Sequence, residues 1–324
     1  MSDMKTVPSF SMTKDEQAFI VEVDSEIKQV LLELPRKYKN TAQITHGDRF
    51  RPLLVYYGYY LYSKNLNKQV VSVAVAIELI HKASIIVDDI IDSDNKRHER
   101  DTVHVQFTTN EAMIIAIFLL GKAMGLLSEL NDIIINSLSG MVMKMCRGTL
   151  TELSTEYNIN VEYVKDIMND QTSQVIQNSL VMGMKAYDDT INNPVLEVIG
   201  AKLGYLFQAL NDCEPYFNTD FLCEYKGNGN FDYNKQRKNL CFAYLEQFMT
   251  QKERTRILKN DKRYIYKLIE KYGIFSLISE ELKTIETDIF DKLDRLKSEG
   301  LNVTRLRCFI KYAISIAKGR ANIK

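Results

Sequence analysis

At 324 residues, with 45% apolar and 26% charged side chains, the chain has the composition of a globular protein able to bury a large core. Lys plus Arg and Asp plus Glu each number 42, and the resulting formal charge of zero argues against a nucleic-acid surface. The five cysteines form an odd set without a C-x-x-C pair, which fits a reducing, cytoplasmic setting, and the polar start MSDMKTVPSFSMTKDEQ does not resemble a secretory leader.

Breakers are scarce, with 5 prolines and 14 glycines, and alternating strand patterns between turn pairs are hard to find, so the expected fold is all-α. After roughly 15 loose residues, AFIVEVDSEIKQVLLEL (18–34) carries apolar residues at helical spacing. Beyond the linker SKNLNK, segment 69–92 is apolar on nearly all sides, as expected of a helix buried in a bundle. Helices are expected over 110–130 and 132–155 as well. The run AMIIAIFLLG at 112–121 is shorter than the ~20 residues of a membrane span, so no transmembrane segment is expected. Segments 160–184 and 194–214 read as helices flanking DDTINN, a polar loop occupies 217–238, and helical spacing returns over 264–293. Without repeats or shifts in composition, residues 1–324 are expected to form one domain.

The stretch VDDIIDSDNKRHER (87–100) ends the apolar segment 69–92. Asp88 and Asp92, four residues apart, project from one helical face, where like charges repel. Two readings compete. Either this is a charged helix end in water, or the acids hold a hard cation such as Mg²⁺ while Arg97 takes a phosphate on the same ion. The four histidines lie between 46 and 104, but no H-x-x-H or cysteine pairing supports zinc.

With its surroundings, IELIHKASIIVDDIIDSDNKRHERDTVH, this stretch resembles the first aspartate-rich region of the trans-isoprenyl diphosphate synthases. THGDRFRPLLV (45–55), CRGTLTEL (146–153), MNDQTSQV (168–175) and LGYLFQALND (203–212) resemble further motifs of that family in the same order. The resemblance implies a single-domain bundle of long helices around a central cavity, with two acidic regions facing across its mouth. It implies a prenyltransferase that uses Mg²⁺ to ionise an allylic prenyl diphosphate and condenses it with isopentenyl diphosphate. By position, Asp88, Asp89, Asp92, Asn211 and Asp212 would hold metal, with Asp88, Asp92 and Arg97 catalytic. Arg49, Arg51, His81, Arg97, His98, Thr172, Gln208, Lys226, Arg237 and Lys238 would bind substrate. Ala83 and Ser84 would floor the tail cavity, and their small size implies a product of C20 or longer. A homodimer is implied as well.

The acceptor side departs from the family pattern. Asp48 stands where the family has lysine, and His98 where it has a second arginine. A unit charge pair ~5 Å apart at an effective dielectric of ~20 is worth roughly 3 kcal/mol, so Asp48 should weaken acceptor binding or require rescue by Arg49. The second motif reads NDCEP, with Glu214 as a replacement carboxylate, and Gln171 stands at a lysine position. Such departures resemble the ComQ-type enzymes that prenylate a peptide tryptophan. A terpene synthase on the same scaffold and a non-catalytic subunit of a heteromeric synthase are the remaining alternatives. The basic end, Lys318, Arg320 and Lys324, either closes over the diphosphates or frays in water.

Overall fold

The computed structural model describes residues 10–98, 100–154, 160–217, 239–257 and 262–321. The first helix, α1 (Lys14–Leu32), starts at a capping box in which Thr13 accepts the Glu16 N–H and the Glu16 carboxylate accepts the Thr13 N–H. After a short 3₁₀ turn and α2 (Ala42–Thr45) come α3 (Phe50–Tyr60) and α4 (Lys68–Asp92). The side chain of Asn67 caps α4 by accepting the Val70 N–H at 3.0 Å. Ser93, left-handed at φ 54°, stops α4 directly after Asp92.

A hairpin of β1 (Lys96–Arg97) against β2 (Arg100–Asp101) is the one sheet among the described residues. Helices α5 (Val103–Gln106), α6 (Thr109–Ser128) and α7 (Asp132–Ser154) follow. Next, α8 (Val161–Met168) runs through a π turn at Asn169–Ser173 into α9 (Gln174–Tyr187). The remainder is α10 (Pro194–Phe217), α11 (Leu240–Phe248), α12 (Gln251–Ile257), α13 (Lys262–Lys271), α14 (Ile274–Ser298) and α15 (Thr304–Arg320).

All-α architecture is therefore as expected, with differences in detail. The helical pattern over 264–293 is broken at Gly273, whose φ of 61° suits glycine, so α13 and α14 are separate. From the first described residue onward the chain is docked: Phe10 packs 5.4 Å from Phe309 and 5.5 Å from Tyr312, and Arg305 pairs with Glu16 at 2.6 Å, so α15 holds residues 10–16.

At the centre, α3, α4 and α9 pack closely. A Cβ on Gly58 would lie 2.0 Å from the Leu180 carbonyl oxygen, and one on Gly183 2.0 Å from that of Val55. Only glycine lets α3 and α9 approach this far. Taken whole, the helices α4 and α6 are long and apolar enough by length and composition to cross a membrane, which the run 112–121 alone is not. The apolar window of α4 is 72% buried inside the bundle, whereas that of α6 is only 33% buried.

Candidate active site

The last turn of α4 carries Asp88, Asp89 and Asp92. This is the negative end of the helix dipole, where carboxylates are destabilised unless a cation answers them. For Asp89 the answer is internal. Its Oδ1 accepts from Arg97 Nε at 2.9 Å and Nη2 at 2.6 Å, and its Oδ2 accepts from Gln43 Nε2. Burial still raises the Asp89 carboxyl above its ordinary value, with Arg97 opposing the rise. The hairpin delivers Arg97 to this position, and Thr102 Oγ1 fastens it by donating to the Asp94 carbonyl at 2.7 Å. Gln43 accepts the Val103 N–H at 2.9 Å, which brings α2 and α5 together at the end of α4. Asp88 and Asp92 instead line a cavity of about 1050 Å³.

Across that cavity, a relay of hydrogen bonds joins three elements. Thr172, in the π turn, donates to Gln208 Oε1 at 2.8 Å; Gln208 Nε2 donates to Asp212 Oδ1 at 2.8 Å; Asp212 Oδ2 accepts the Leu240 N–H at 2.7 Å. Asp212 thus answers the positive end of the α11 dipole. Asn211 is exposed and, with Glu214, faces the cavity. The widened π turn also brings Gln171 to the wall, where it donates to Glu152 at 3.0 Å.

A cationic corner completes the polar end. Arg51 Nη1 lies 2.7 Å from His81 Nε2. A guanidinium only donates, so Nε2 accepts and the imidazole proton sits on Nδ1. Burial first, then Arg51 and Lys82, hold His81 well below its usual range, so it is neutral at pH 7. Arg51 Nε has no hydrogen-bond partner among the described residues, and burial brings its pKa down to about 10. Away from this end the walls are apolar, with Ala83 and Val87 on α4, Leu120 on α6, Val142 on α7 and Val175 on α9. The volume exceeds the roughly 300–1,000 Å³ of ordinary small-molecule pockets. Its polarity suits a ligand with an anionic head and a long apolar tail.

A family model for polyprenyl synthetase matches residues 35–264, well over half of the chain. The chain belongs to the polyprenyl synthetase family. It is 26% identical over 199 residues to a short chain isoprenyl diphosphate synthase of Methanocaldococcus jannaschii, covering 59% of this chain and 61% of that one. It is 24% identical over 229 residues to heptaprenyl diphosphate synthase component 2 of Bacillus subtilis, covering 68% and 64%. The matches therefore span less than two thirds of these relatives' own lengths. The fold resembles the crystal structure of an octaprenyl pyrophosphate synthase from Helicobacter pylori, with a TM-score of 0.78, 18% identity and coverage of 94% and 100%.

Several residues expected from the polyprenyl synthetase pattern meet in the cavity. Asp88, Asp92, Ala83 and Ser84 line it from α4, together with His81, Arg51, Arg97 and His98. Thr172, Gln208, Asn211 and Asp212 line it from the other side. Three expectations change. Arg49 is absent from the lining: it is buried and bonded to Asp24 at 2.6 Å, Glu78 at 2.8 Å and the Thr45 carbonyl at 2.6 Å, so it cannot offset Asp48. Asp89 is also absent from the lining, because Arg97 and Gln43 turn it inward. Asp212 reaches the cavity with both oxygens already accepting hydrogen bonds. Among the described residues, no three His, Cys, Asp or Glu side chains form a preassembled metal cluster. Lys226, Arg237 and Lys238 lie outside the described residues.

Sequence reasoning missed Gln43 and Lys82. Gln43 sits in a polar stretch without any pattern. Lys82 did leave a signal, since it and Glu78, one turn apart, are ionisable groups inside an otherwise apolar helix.

Proposed function

We propose that the protein is a Mg²⁺-dependent prenyltransferase that joins an allylic prenyl diphosphate to isopentenyl diphosphate. What carries this is one cavity with acids and cations at one end and apolar walls leading away from them. The donor set fits a hard cation. Asp88 and Asp92 offer carboxylate oxygens one turn apart at the wrong end of a helix dipole, and Asn211 and Glu214 offer oxygens from α10, with Asp212 adding only the lone pairs that its two hydrogen bonds leave. Mg²⁺ bound there would neutralise the departing diphosphate.

The protein's own groups do the rest. Asp89 holds Arg97 at the cavity rim, where the guanidinium adds positive charge beside the acids. Neutral His81 orients Arg51, leaving a cation ready for a phosphate oxygen. The apolar walls keep water from the allylic cation. Ala83 and Ser84 leave space one turn below Asp88, which supports a product of C20 or longer. Ile114 and Ile117 on α6 and Met143 on α7 are exposed, which supports a homodimer. The exposed free thiols of Cys146 and Cys308 support a reducing, cytoplasmic setting.

The test is incubation with geranyl, farnesyl or geranylgeranyl diphosphate and Mg²⁺, with and without isopentenyl diphosphate, extracting products before and after phosphatase. A longer prenyl alcohol seen only with isopentenyl diphosphate and only after phosphatase is expected. Hydrocarbon or alcohol formed without isopentenyl diphosphate would mean a terpene synthase instead. No product in any tube would reject isopentenyl diphosphate as the acceptor.

A further inference from the structure

In the corner beside α4, three cations (Arg49, Arg51, Lys82) face two carboxylates (Asp24, Glu78), and the carboxylates are unevenly shared. Arg49 takes Asp24 at 2.6 Å and Glu78 at 2.8 Å. Lys82 is left 3.7 Å from the same Glu78 oxygen, and Arg51 makes no ion pair among the described residues. Both side chains line the cavity, and with three cations sharing two carboxylates this end of it carries an excess of positive charge.

The lysine is aimed by its surroundings. Its Nζ donates to the His46 carbonyl at 2.7 Å, beneath the loop that carries Gly47 and Asp48. An ammonium has three donors, so capacity remains for a ligand after His46 is served. Gly47 keeps the loop this close: its φ is 145°, and a Cβ there would lie 3.0 Å from the Lys82 Nζ. Asp48 is exposed at the same wall and contributes the wrong sign for an anion.

We propose that Lys82, paired with Arg51, anchors the diphosphate of the acceptor and supplies from α4 the ammonium that the loop lacks where Asp48 stands. This assignment rests on the prenyl-transfer function proposed above. Lys82 then determines acceptor affinity while leaving the donor end, with Asp88 and Asp92, untouched. A lysine serving only to balance Glu78 and hold the His46 carbonyl would have no such effect.

Titration calorimetry with inorganic pyrophosphate in EDTA reads the subsite without metal and without turnover. The variant Lys82→Gln removes the charge but keeps a donor for the His46 carbonyl. It is expected to bind pyrophosphate at least tenfold more weakly than wild type, while Lys82→Arg stays within about threefold. Adding Asp48→Lys to Lys82→Gln moves the ammonium to the loop and should restore affinity to within about threefold. In turnover, Lys82→Gln should raise KM for isopentenyl diphosphate at least tenfold and change KM for the allylic donor less than threefold. Unchanged pyrophosphate affinity in Lys82→Gln, or an equal rise in both KM values, overturns the assignment. Loss of metal-free pyrophosphate binding in a protein that elongates nothing would refute the acceptor chemistry and leave the anion subsite standing.

Discussion

Asp88 shows why site residues conflict with local stability. It occupies the last turn of α4 beside two more acids, where the dipole and like charges both oppose it. Asp88→Ala is therefore expected to lower kcat by about 10³-fold. Its unfolding free energy should be unchanged or up to ~1 kcal/mol higher in denaturant melts. Activity and stability falling together would make Asp88 a structural residue. His81 provides a pH signature. Its native pKa is held below the unfolded value near 6.5, so both states are neutral above that value. As pH falls from 6.5 toward the native pKa, the unfolded chain takes up a proton that the native chain refuses, and stability drops. His81→Gln keeps an acceptor for Arg51 and should flatten that drop in melts recorded across the window. An unchanged slope would locate the pH dependence elsewhere.

Whole helices were legible in the sequence because burial on one face writes a period of 3.6 into it, and α4 runs over Lys68–Asp92 where 69–92 was expected. Interruptions that depend on neighbours were not. The π turn at Asn169–Ser173 sits within the unbroken pattern of 160–184, yet it turns Gln171 and Thr172 toward the cavity. Likewise, nothing local to Arg49 shows that Asp24 and Glu78 will claim it, whereas Asp88 and Asp92 are placed by helix register alone. Gly183 is decided at this same scale. A methyl there meets the Val55 carbonyl at 2.0 Å, a backbone atom that cannot rotate away. Gly183→Ala should cost about 3 kcal/mol in unfolding free energy as α3 and α9 are pushed apart. A loss below ~1 kcal/mol would mean that the two helices slide freely past one another.

For the molecule as a whole, the unresolved force is the apolar surface of α6 and α7. Ile114 is 65% exposed, Ile117 62% and Met143 67%. Val142, Cys146 and Leu150 line both the central cavity and a groove on the outer side of α7, so the cavity is separated from solvent there by little more than these side chains. Contiguous apolar surface is the usual mark of a contact with protein or lipid. A second copy is the occupant that would also seal the cavity wall, and it needs no further component. Met143 belongs to the outer groove and not to the cavity lining, which makes it a clean probe of this face. Wild type should sediment as a dimer at micromolar concentration, and Met143→Asp should shift it to monomer by burying a charge that nothing there answers. A monomeric wild type that floats with liposomes would give the face to lipid. A wild type that is monomeric and stays in solution would leave it for a different subunit.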